Sequence, residues 1–305
     1  MVNVYIISGF LGAGKTTIIK HILNSQRLGK VMLLENEFGE IGIDGNLFDE
    51  GLQITEINSG CICCSLKGDL ERALNEIMSY NIDTLLIEPS GVGKLSEIMN
   101  SVAKAKDLKL VSHICVVDAK KALSYHRNYK EFFDDQVKAA NSILCSKTEL
   151  VSEERLNDDL KMLRELNPDA TIVTTDYKEL EYDQLFAVLN ENVKPLTCTC
   201  EEETCECHCH DHEHHHHHHA DEVFETYGFE TIRTFTKDEL QQDLLKIKDV
   251  AVRAKGIVRG EDTWYYFDLT GDDIFIKEGK PSHTGLVTVI GKGLNEEELQ
   301  GMFCL

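Results

Sequence analysis

The chain has 305 residues, of which 42% are hydrophobic and 28% are charged, and it carries a formal net charge of −22. This composition is typical of a globular protein, and the negative charge argues against nucleic-acid binding because phosphates would be repelled. No apolar stretch approaches the ~20 residues of a membrane span, and the N-terminal residues lack the basic region of a signal peptide. We therefore expect a cytoplasmic protein without nucleic-acid or membrane partners, in which the eleven cysteines do not form a disulfide framework.

Short apolar runs alternate with amphipathic segments over residues 1–193. Strands are predicted at 2–8, 30–35, 83–88, 113–119, 141–147 and 170–175, and helices at 15–24, 66–79, 94–104, 131–140 and 153–166. The apolar runs lack polar alternation, so the strands are expected to be buried on both faces, as in a parallel sheet. The predicted fold class is α/β, a doubly wound, mostly parallel sheet with helices on both faces.

The pattern changes in residues 194–222, where cysteines and nine histidines are crowded among acidic residues. We expect a disordered linker that holds several metal ions loosely. The alternative for its six-histidine run is a purification tag. After it, strands are predicted at 223–235, 250–260, 263–269 and 285–293, and helices at 236–249 and 295–303. Residues 223–305 are therefore predicted to form a smaller α+β domain.

The stretch GFLGAGKT, at residues 9–16, matches the P-loop pattern G-x-x-x-x-G-K-[ST] between a predicted strand and a predicted helix. Its glycines let the backbone turn tightly and direct N–H groups at a phosphate. Lys15 would neutralise the β- and γ-phosphate oxygens, and Thr16 would offer its hydroxyl to Mg²⁺. A glycine-rich turn without a ligand is the alternative. The predicted phosphate-binding residues are Gly9, Gly12, Ala13, Gly14, Lys15, Thr16 and Thr17.

Glu88 ends the predicted strand DTLLIE, and Gly91 follows three positions later. A P-loop protein needs an acidic group at such a strand end to hold magnesium or its waters, so Glu88 joins Lys15 and Thr16 as a candidate catalytic residue. The alternative is an ordinary surface glutamate. The N–H of Gly91 is expected near the γ-phosphate.

Three residues in SILCSKTEL bear on the choice of base. Lys147 matches the lysine of the guanine-binding pattern [NT]-K-x-D, whereas Ser146 and Glu149 depart from it. They nevertheless follow the fifth predicted strand, where that pattern is expected. We favour GTP over ATP.

Three thiols stand within four positions in the stretch GCICCS, at residues 60–65. Thiolates suit Zn²⁺, or Co²⁺ and Ni²⁺ with mixed ligands, so we favour a transition metal, zinc first. A redox dithiol and inert buried cysteines are the alternatives. The acidic stretch LLENEFGE ends an earlier strand, where a P-loop domain places its first switch. The candidate metal ligands are Cys61, Cys63, Cys64, Glu35, Glu37 and Glu40.

The chain resembles the CobW family of P-loop GTPases in five motifs, which occur in the order GFLGAGKTT, ENEFGE, GCICC, IEPSG and SKTEL. The CobW family is related to the urease and hydrogenase nickel-insertion GTPases. The resemblance implies a GTPase that binds a transition metal at the C-x-C-C motif and delivers it to a client metalloprotein or metal-cofactor enzyme. We expect slow turnover, because no catalytic arginine or glutamine is readable. A metal- or nucleotide-dependent homodimer is compatible with the sequence.

Two rival functions stay open. In the first, the Cys/His-rich linker buffers metal and the nucleotide site only regulates it. The second is a P-loop kinase, although no acceptor site is visible in the sequence.

Overall fold

The computed structural model describes residues 1–35, 53–56, 70, 74, 77, 79–105, 107–177, 179–191, 193, 224–279 and 284–304, with the backbone alone at 53–56. The chain divides into two compact units. The described residues before 194 belong to the first unit, and those from 224 onward belong to the second. The predicted linker at 194–222 and most of the predicted helix at 66–79 lie outside the described residues.

The first unit is an α/β layer structure. Its strands are β1 (Val2–Gly9), β2 (Val31–Glu35), β3 (Gln53–Glu56), β4 (Thr84–Glu88), β5 (Leu108–Asp118), β6 (Ser142–Ser146) and β7 (Thr171–Val173). Its helices with described bounds are α1 (Lys15–Asn24), α2 (Leu95–Lys104), α3 (Ala122–Asn128), α4 (Lys130–Ala139), α5 (Glu153–Leu166) and α6 (Tyr182–Leu189). The strand order is β3-β2-β4-β1-β5-β6-β7, and every pair is parallel.

The central strand β1 is buried on both faces, as the unbroken apolar run VYII predicts. Tyr5 and Ile7 belong to one apolar cluster with residues of α1 and α6. Val4 and Ile6 are also fully buried and point to the opposite face, because side chains alternate along a strand. Helix α4 contacts β1, and α2 contacts β5. The predicted doubly wound sheet with helices on both faces is therefore confirmed.

The second unit is built on an antiparallel sheet. Its elements are β8 (Glu225–Thr231), β9 (Thr234–Phe235), α7 (Lys237–Ile247), β10 (Ala251–Gly260), β11 (Trp264–Thr270), β12 (Asp273–Gly279), β13 (Gly285–Gly291) and α8 (Glu296–Phe303). The strand order is β12-β11-β10-β13-β8, and β9 pairs in parallel with the end of β10. One core cluster joins the sheet to α7 and α8. The predicted smaller α+β domain is confirmed in class.

Helix α7 begins at a side-chain N-cap, Thr236. The Thr236 hydroxyl accepts the N–H of Glu239 at 3.2 Å, and the Glu239 carboxylate accepts the N–H of Thr236 at 2.9 Å. This reciprocal capping box satisfies backbone donors that a helix start otherwise leaves without partners.

Several predicted boundaries were wrong. The helix predicted at 131–140 begins at Lys130 and follows a separate helix, α3, that the pattern missed. The strand predicted at 223–235 is split into β8 and β9. Strands β3 and β12 and helix α6 were also missed. Strand β3 has four residues, β12 has an apolar run of only three residues, and α6 has eight residues, so each gives too short a periodic signal.

Candidate functional site

The P-loop turns between β1 and α1 through backbone conformations that favour glycine. Gly9, Gly12 and Gly14 have φ values of 147°, 71° and 101°. A Cβ on Gly9 would lie 2.4 Å from the carbonyl oxygen of Val116, so β1 and β5 approach too closely here for any side chain. The glycine spacing of the motif is therefore a requirement of this turn.

The N-terminus of α1 is open to an anion. Its N-cap is Gly14, which has no side chain with which to cap the helix, and its first turn contains no acidic residue. The first N–H groups of a helix lack intrahelical acceptors, and the helix dipole adds positive potential at this end. These features make the start of α1 a suitable site for a phosphate.

Lys15, Thr16 and Glu88 come together, as the sequence predicted for the three candidate catalytic residues. The Thr16 hydroxyl donates to Glu88 Oε1 at 3.3 Å, and Lys15 Nζ lies 4.0 Å from the same oxygen. Lys15 is 7% exposed and Glu88 is 9% exposed. Glu88 ends β4, which pairs with β1, so the parallel sheet places its carboxylate beside the P-loop. The arrangement joins a cation, a hydroxyl and a carboxylate at one point.

Glu35 lies beside Glu88 in the sheet. It ends β2, and the register of the β2–β4 pair makes Glu35 and Glu88 direct partners. Neighbouring strands lie about 4.8 Å apart, and paired residues share one face of the sheet. Glu35 is 7% exposed, so two carboxylates are buried side by side. Such a pair favours a bound cation, because like charges repel strongly away from water.

The loop after β4 packs directly on the P-loop. A Cβ on Gly91 would lie 2.5 Å from Leu11 Cδ2 and 2.9 Å from the Leu11 backbone nitrogen. The backbone nitrogen cannot move without disturbing the P-loop, so Gly91 must remain glycine. Its placement beside the P-loop agrees with the predicted position of its N–H near a terminal phosphate, which stays a prediction.

The segment after β6 is also fixed to the P-loop. Ser146 Oγ donates to the carbonyl of Ala13 at 2.7 Å, and Lys147 Nζ donates to the carbonyl of Gly12 at 3.2 Å. Glu149 is exposed on the 3₁₀ turn Thr148–Leu150. The structure therefore brings Ser146 and Lys147 to the phosphate loop and leaves the Glu149 carboxylate at the surface.

Sequence reasoning missed Asp118 and Tyr177. Asp118 is buried at the end of β5, and its Oδ2 accepts from Lys147 Nζ at 2.6 Å. The polar residue that ends the apolar run HICVVD was the available signal. Tyr177 is buried, which raises the pKa of its hydroxyl to about 12, and its side chain hydrogen-bonds Thr17. No sequence pattern singled out Tyr177.

The predicted thiol site, Cys61, Cys63 and Cys64, lies outside the described residues. Glu37 and Glu40 lie outside them as well. Within the described ranges, no three His, Cys, Asp or Glu side chains are grouped closely enough to hold a metal ion. Among the helices of the same ranges, none is long and apolar enough to cross a membrane. Cys115 and Cys145 are buried in β5 and β6 as small core residues.

Comparison with known proteins identifies the family. Residues 3–174, more than half of the chain, match the family described as CobW/HypB/UreG, nucleotide-binding domain. The chain belongs to this family. The resemblance predicted from the five motifs is confirmed, and the CobW/HypB/UreG match covers the P-loop, the strand ends at Glu35 and Glu88, and the Ser146–Lys147 segment.

Characterised relatives of this CobW/HypB/UreG protein are described as zinc proteins. The zinc chaperone YjiA of Escherichia coli is 34% identical over 208 residues, which cover 63% of this chain and 64% of that protein. The zinc-regulated GTPase metalloprotein activator 1 of Dictyostelium discoideum is 31% identical over 212 residues, which cover 56% of this chain and 45% of the relative. The alignments thus span less than two thirds of these relatives.

A solved structure of Zn(II)-bound YjiA GTPase from E. coli superposes with a TM-score of 0.47 at 23% identity, covering 99% of this chain and 97% of that one.

Proposed function

We propose that this protein is a GTP-hydrolysing metallochaperone. It binds a transition metal, zinc first with cobalt or nickel as alternatives, at Cys61, Cys63 and Cys64, and it releases the ion to a client protein on hydrolysis. The zinc chaperones and the zinc-regulated GTPase activator among its relatives support this proposal. The observation that carries it is the pairing of Glu35 with Glu88 in the sheet.

The pairing of Glu35 with Glu88 links the proposed metal site to the nucleotide site. Glu88 contacts Thr16 and Lys15 of the P-loop, and Glu35 is the first residue of the segment ENEFGE. Any ligand that repositions the Glu88 carboxylate also changes the electrostatic environment of Glu35, because the two are buried cross-strand neighbours. Glu35, Glu37 and Glu40 are the proposed switch carboxylates, which complete the metal site with the thiolates of Cys61, Cys63 and Cys64.

The residues of the P-loop supply the nucleotide chemistry. Phosphate oxygens accept backbone N–H groups at the start of α1, and Lys15 neutralises charge on the β- and γ-phosphates. Thr16 and Glu88 present hard oxygen donors 3.3 Å apart, which fits the preference of Mg²⁺ for oxygen ligands. When bound, Mg²⁺ would offset negative charge on the phosphates.

Hydrolysis removes the terminal phosphate. A water oxygen bonds to the γ-phosphorus, the bond from the γ-phosphorus to the β–γ bridging oxygen breaks, and the water proton leaves with inorganic phosphate or to solvent. The contact between Gly91 and the terminal phosphate is lost, the segment that begins at Glu35 loosens, and the metal loses oxygen ligands.

Guanine is the proposed base. Ser146 and Lys147 hold the loop after β6 against the P-loop, which supports their role beneath a base. Glu149 is the proposed acceptor for the guanine ring N–H. The client is proposed to be a metalloprotein or a metal-cofactor enzyme.

Metal titrations test the proposal. Zn²⁺ affinity is measured with a non-hydrolysable GTP analogue, with GDP and without nucleotide, each in the presence of Mg²⁺. We expect the GTP analogue to tighten one site at least about fivefold, and linkage requires zinc to tighten the analogue by the same factor. Lys15→Ala is the control that removes the nucleotide effect. Equal zinc affinities in all three states would refute the gating.

Deleting residues 198–219 separates the chaperone from a metal buffer. A chaperone keeps one nucleotide-dependent ion after the deletion, because its site is formed by the thiols at 61–64. A buffer loses most of its capacity together with the linker. A phosphorylated small-molecule product would instead indicate a kinase.

A further inference from the structure

Helix α4 holds the loop that follows β4. The side-chain amide of Gln136 donates to the carbonyl of Gly93 at 2.7 Å and to the carbonyl of Gly91 at 3.2 Å. Gln136 is 0% exposed, so no water competes for these carbonyls. One buried side chain therefore fixes two peptide groups of the loop.

Two further contacts link α4 to the same segment. Lys94 Nζ donates to Glu131 Oε1 at 2.6 Å. Asp135 accepts the Ser96 hydroxyl at 2.6 Å and the Ser96 N–H at 3.1 Å. Helix α2 has no side-chain cap from its own N-cap residue, so Asp135 of α4 takes that role. Because Glu131 and Asp135 are four positions apart, they share one face of α4.

The loop is consequently held on two sides. Gly91 touches Leu11 of the P-loop on one side, at a distance that excludes a Cβ, and Gln136 holds its carbonyl on the other. The Gly91 N–H belongs to the same peptide group as the Ser90 carbonyl, which accepts the Gly93 N–H at 2.9 Å. Gln136 fixes the carbonyls of Gly91 and Gly93 in this turn, so the turn has little freedom to rotate and the Gly91 N–H keeps one direction. Both hydrogen bonds that the Gln136 amide donates serve this loop, whereas its Oε1 is buried without a hydrogen-bond partner among the described residues.

We propose that Gln136 is a positioning residue that sets the preference of the nucleotide site for a triphosphate over a diphosphate, by holding the Gly91 N–H toward the terminal phosphate. This inference rests on the proposed function, in which Gly91 faces the γ-phosphate. A diphosphate does not reach Gly91, so Gln136 contributes only to triphosphate binding, and only such differential contacts shift a two-state equilibrium.

The test replaces Gln136 with methionine, which has a similar volume and no hydrogen-bond donor. Mg²⁺-dependent affinities for a non-hydrolysable GTP analogue and for GDP are measured by titration with fluorescent nucleotides. We expect analogue affinity to fall about tenfold while GDP affinity is unchanged. Equal losses for both nucleotides, or no loss for either, would overturn the proposal.

Asn167→Leu is the matched control. Asn167 is also buried, and its amide donates to the carbonyls of Val137, Lys138 and Ala140 at the far end of α4. Asn167 follows α5, so this variant removes buried amide bonds to α4 without removing a bond to the Gly91 loop. We expect it to lower stability and to leave the ratio of the two affinities unchanged.

If Gln136→Met does not fold, amide hydrogen exchange of the wild-type protein tests whether the Gly91 loop is already positioned without a triphosphate. The Gly93 N–H bonds the carbonyl of Ser90 at 2.9 Å. With the loop already positioned, we expect this amide to be protected without nucleotide and with GDP. Fast exchange in both states, with protection only on adding the analogue, would refute positioning by Gln136. If wild-type protein binds no GTP at all, the proposed function fails instead.

Discussion

Lys147 and Asp118 form one ion pair, but replacing Lys147 should lower the free energy of unfolding more than replacing Asp118. The two side chains are 2.6 Å apart, but the Asp118 side chain is 0% exposed whereas that of Lys147 is 32% exposed. Lys147→Met leaves a buried carboxylate that keeps the N–H of Lys120 at 2.9 Å. Removing one partner of a buried pair costs about 3–5 kcal/mol, and the remaining N–H places this variant near 3 kcal/mol.

Asp118→Asn has a smaller effect. The asparagine keeps the shape of the side chain and still accepts the Lys120 N–H. The Lys147 ammonium is then hydrated by solvent and still donates to the carbonyl of Gly12. We therefore expect the free energy of unfolding to fall by about 1 kcal/mol. Urea unfolding at neutral pH without nucleotide measures both variants, with unchanged m-values as the test of two-state behaviour. Equal losses, or a larger loss for Asp118→Asn, would refute the reasoning from burial.

Lys246→Met is the control for this comparison. Lys246 pairs with Asp243 at a similar 2.7 Å, but its side chain is 64% exposed. Exposed pairs contribute at most about 1 kcal/mol, so this variant should lose less stability than Lys147→Met.

Three further predictions concern single positions. Gly91→Ala should lower stability by about 1–3 kcal/mol and abolish GTP binding, because its Cβ would meet the Leu11 backbone, whereas Gly301→Ala, with nothing within 4 Å, should not destabilise α8. Burial raises the pKa of Asp159 from 3.8 to about 6. Ionised Asp159 therefore destabilises the folded state above about pH 6, and Asp159→Asn should add about 2 kcal/mol at pH 7, a gain that shrinks as the pH falls from 6 to 4 in urea unfolding series. Thr236→Ala should cost about 1 kcal/mol in thermal unfolding through the lost cap of α7.

The parallel sheet could be predicted because its strands carry their own signal. Uninterrupted apolar runs such as VYII and TLLI predict burial on both faces, and the P-loop pattern fixes the first turn. Helices α1 and α5 were predicted with their observed bounds, since each has ten or more residues and a strong apolar face. Lys15, Thr16 and Glu88 were grouped in advance because parallel strands end at the same edge.

Contacts made across long sequence distances could not be predicted where no motif marks both partners. The pairing of Glu35 with Glu88 depends on register, which no local pattern encodes. Asp118 and Gln136 act on groups that are respectively 29 and 45 positions away along the chain. A polar residue inside an apolar segment shows that a partner exists without showing which one. The edge strand β12 was missed because its apolar run, IFI, is only three residues long.

The strand order has a consequence for how the protein is made. Strand β1 lies between β4 and β5, whose paired residues begin at Thr84 and Leu108, so β1 has to wait for strands that are synthesised much later. Folding that depends on such distant pairing is slow, and apolar β1 stays uncovered on a nascent chain meanwhile. The ribosome must release residues through 118 before the P-loop strand has both neighbours, so this strand is exposed to non-native pairing until then.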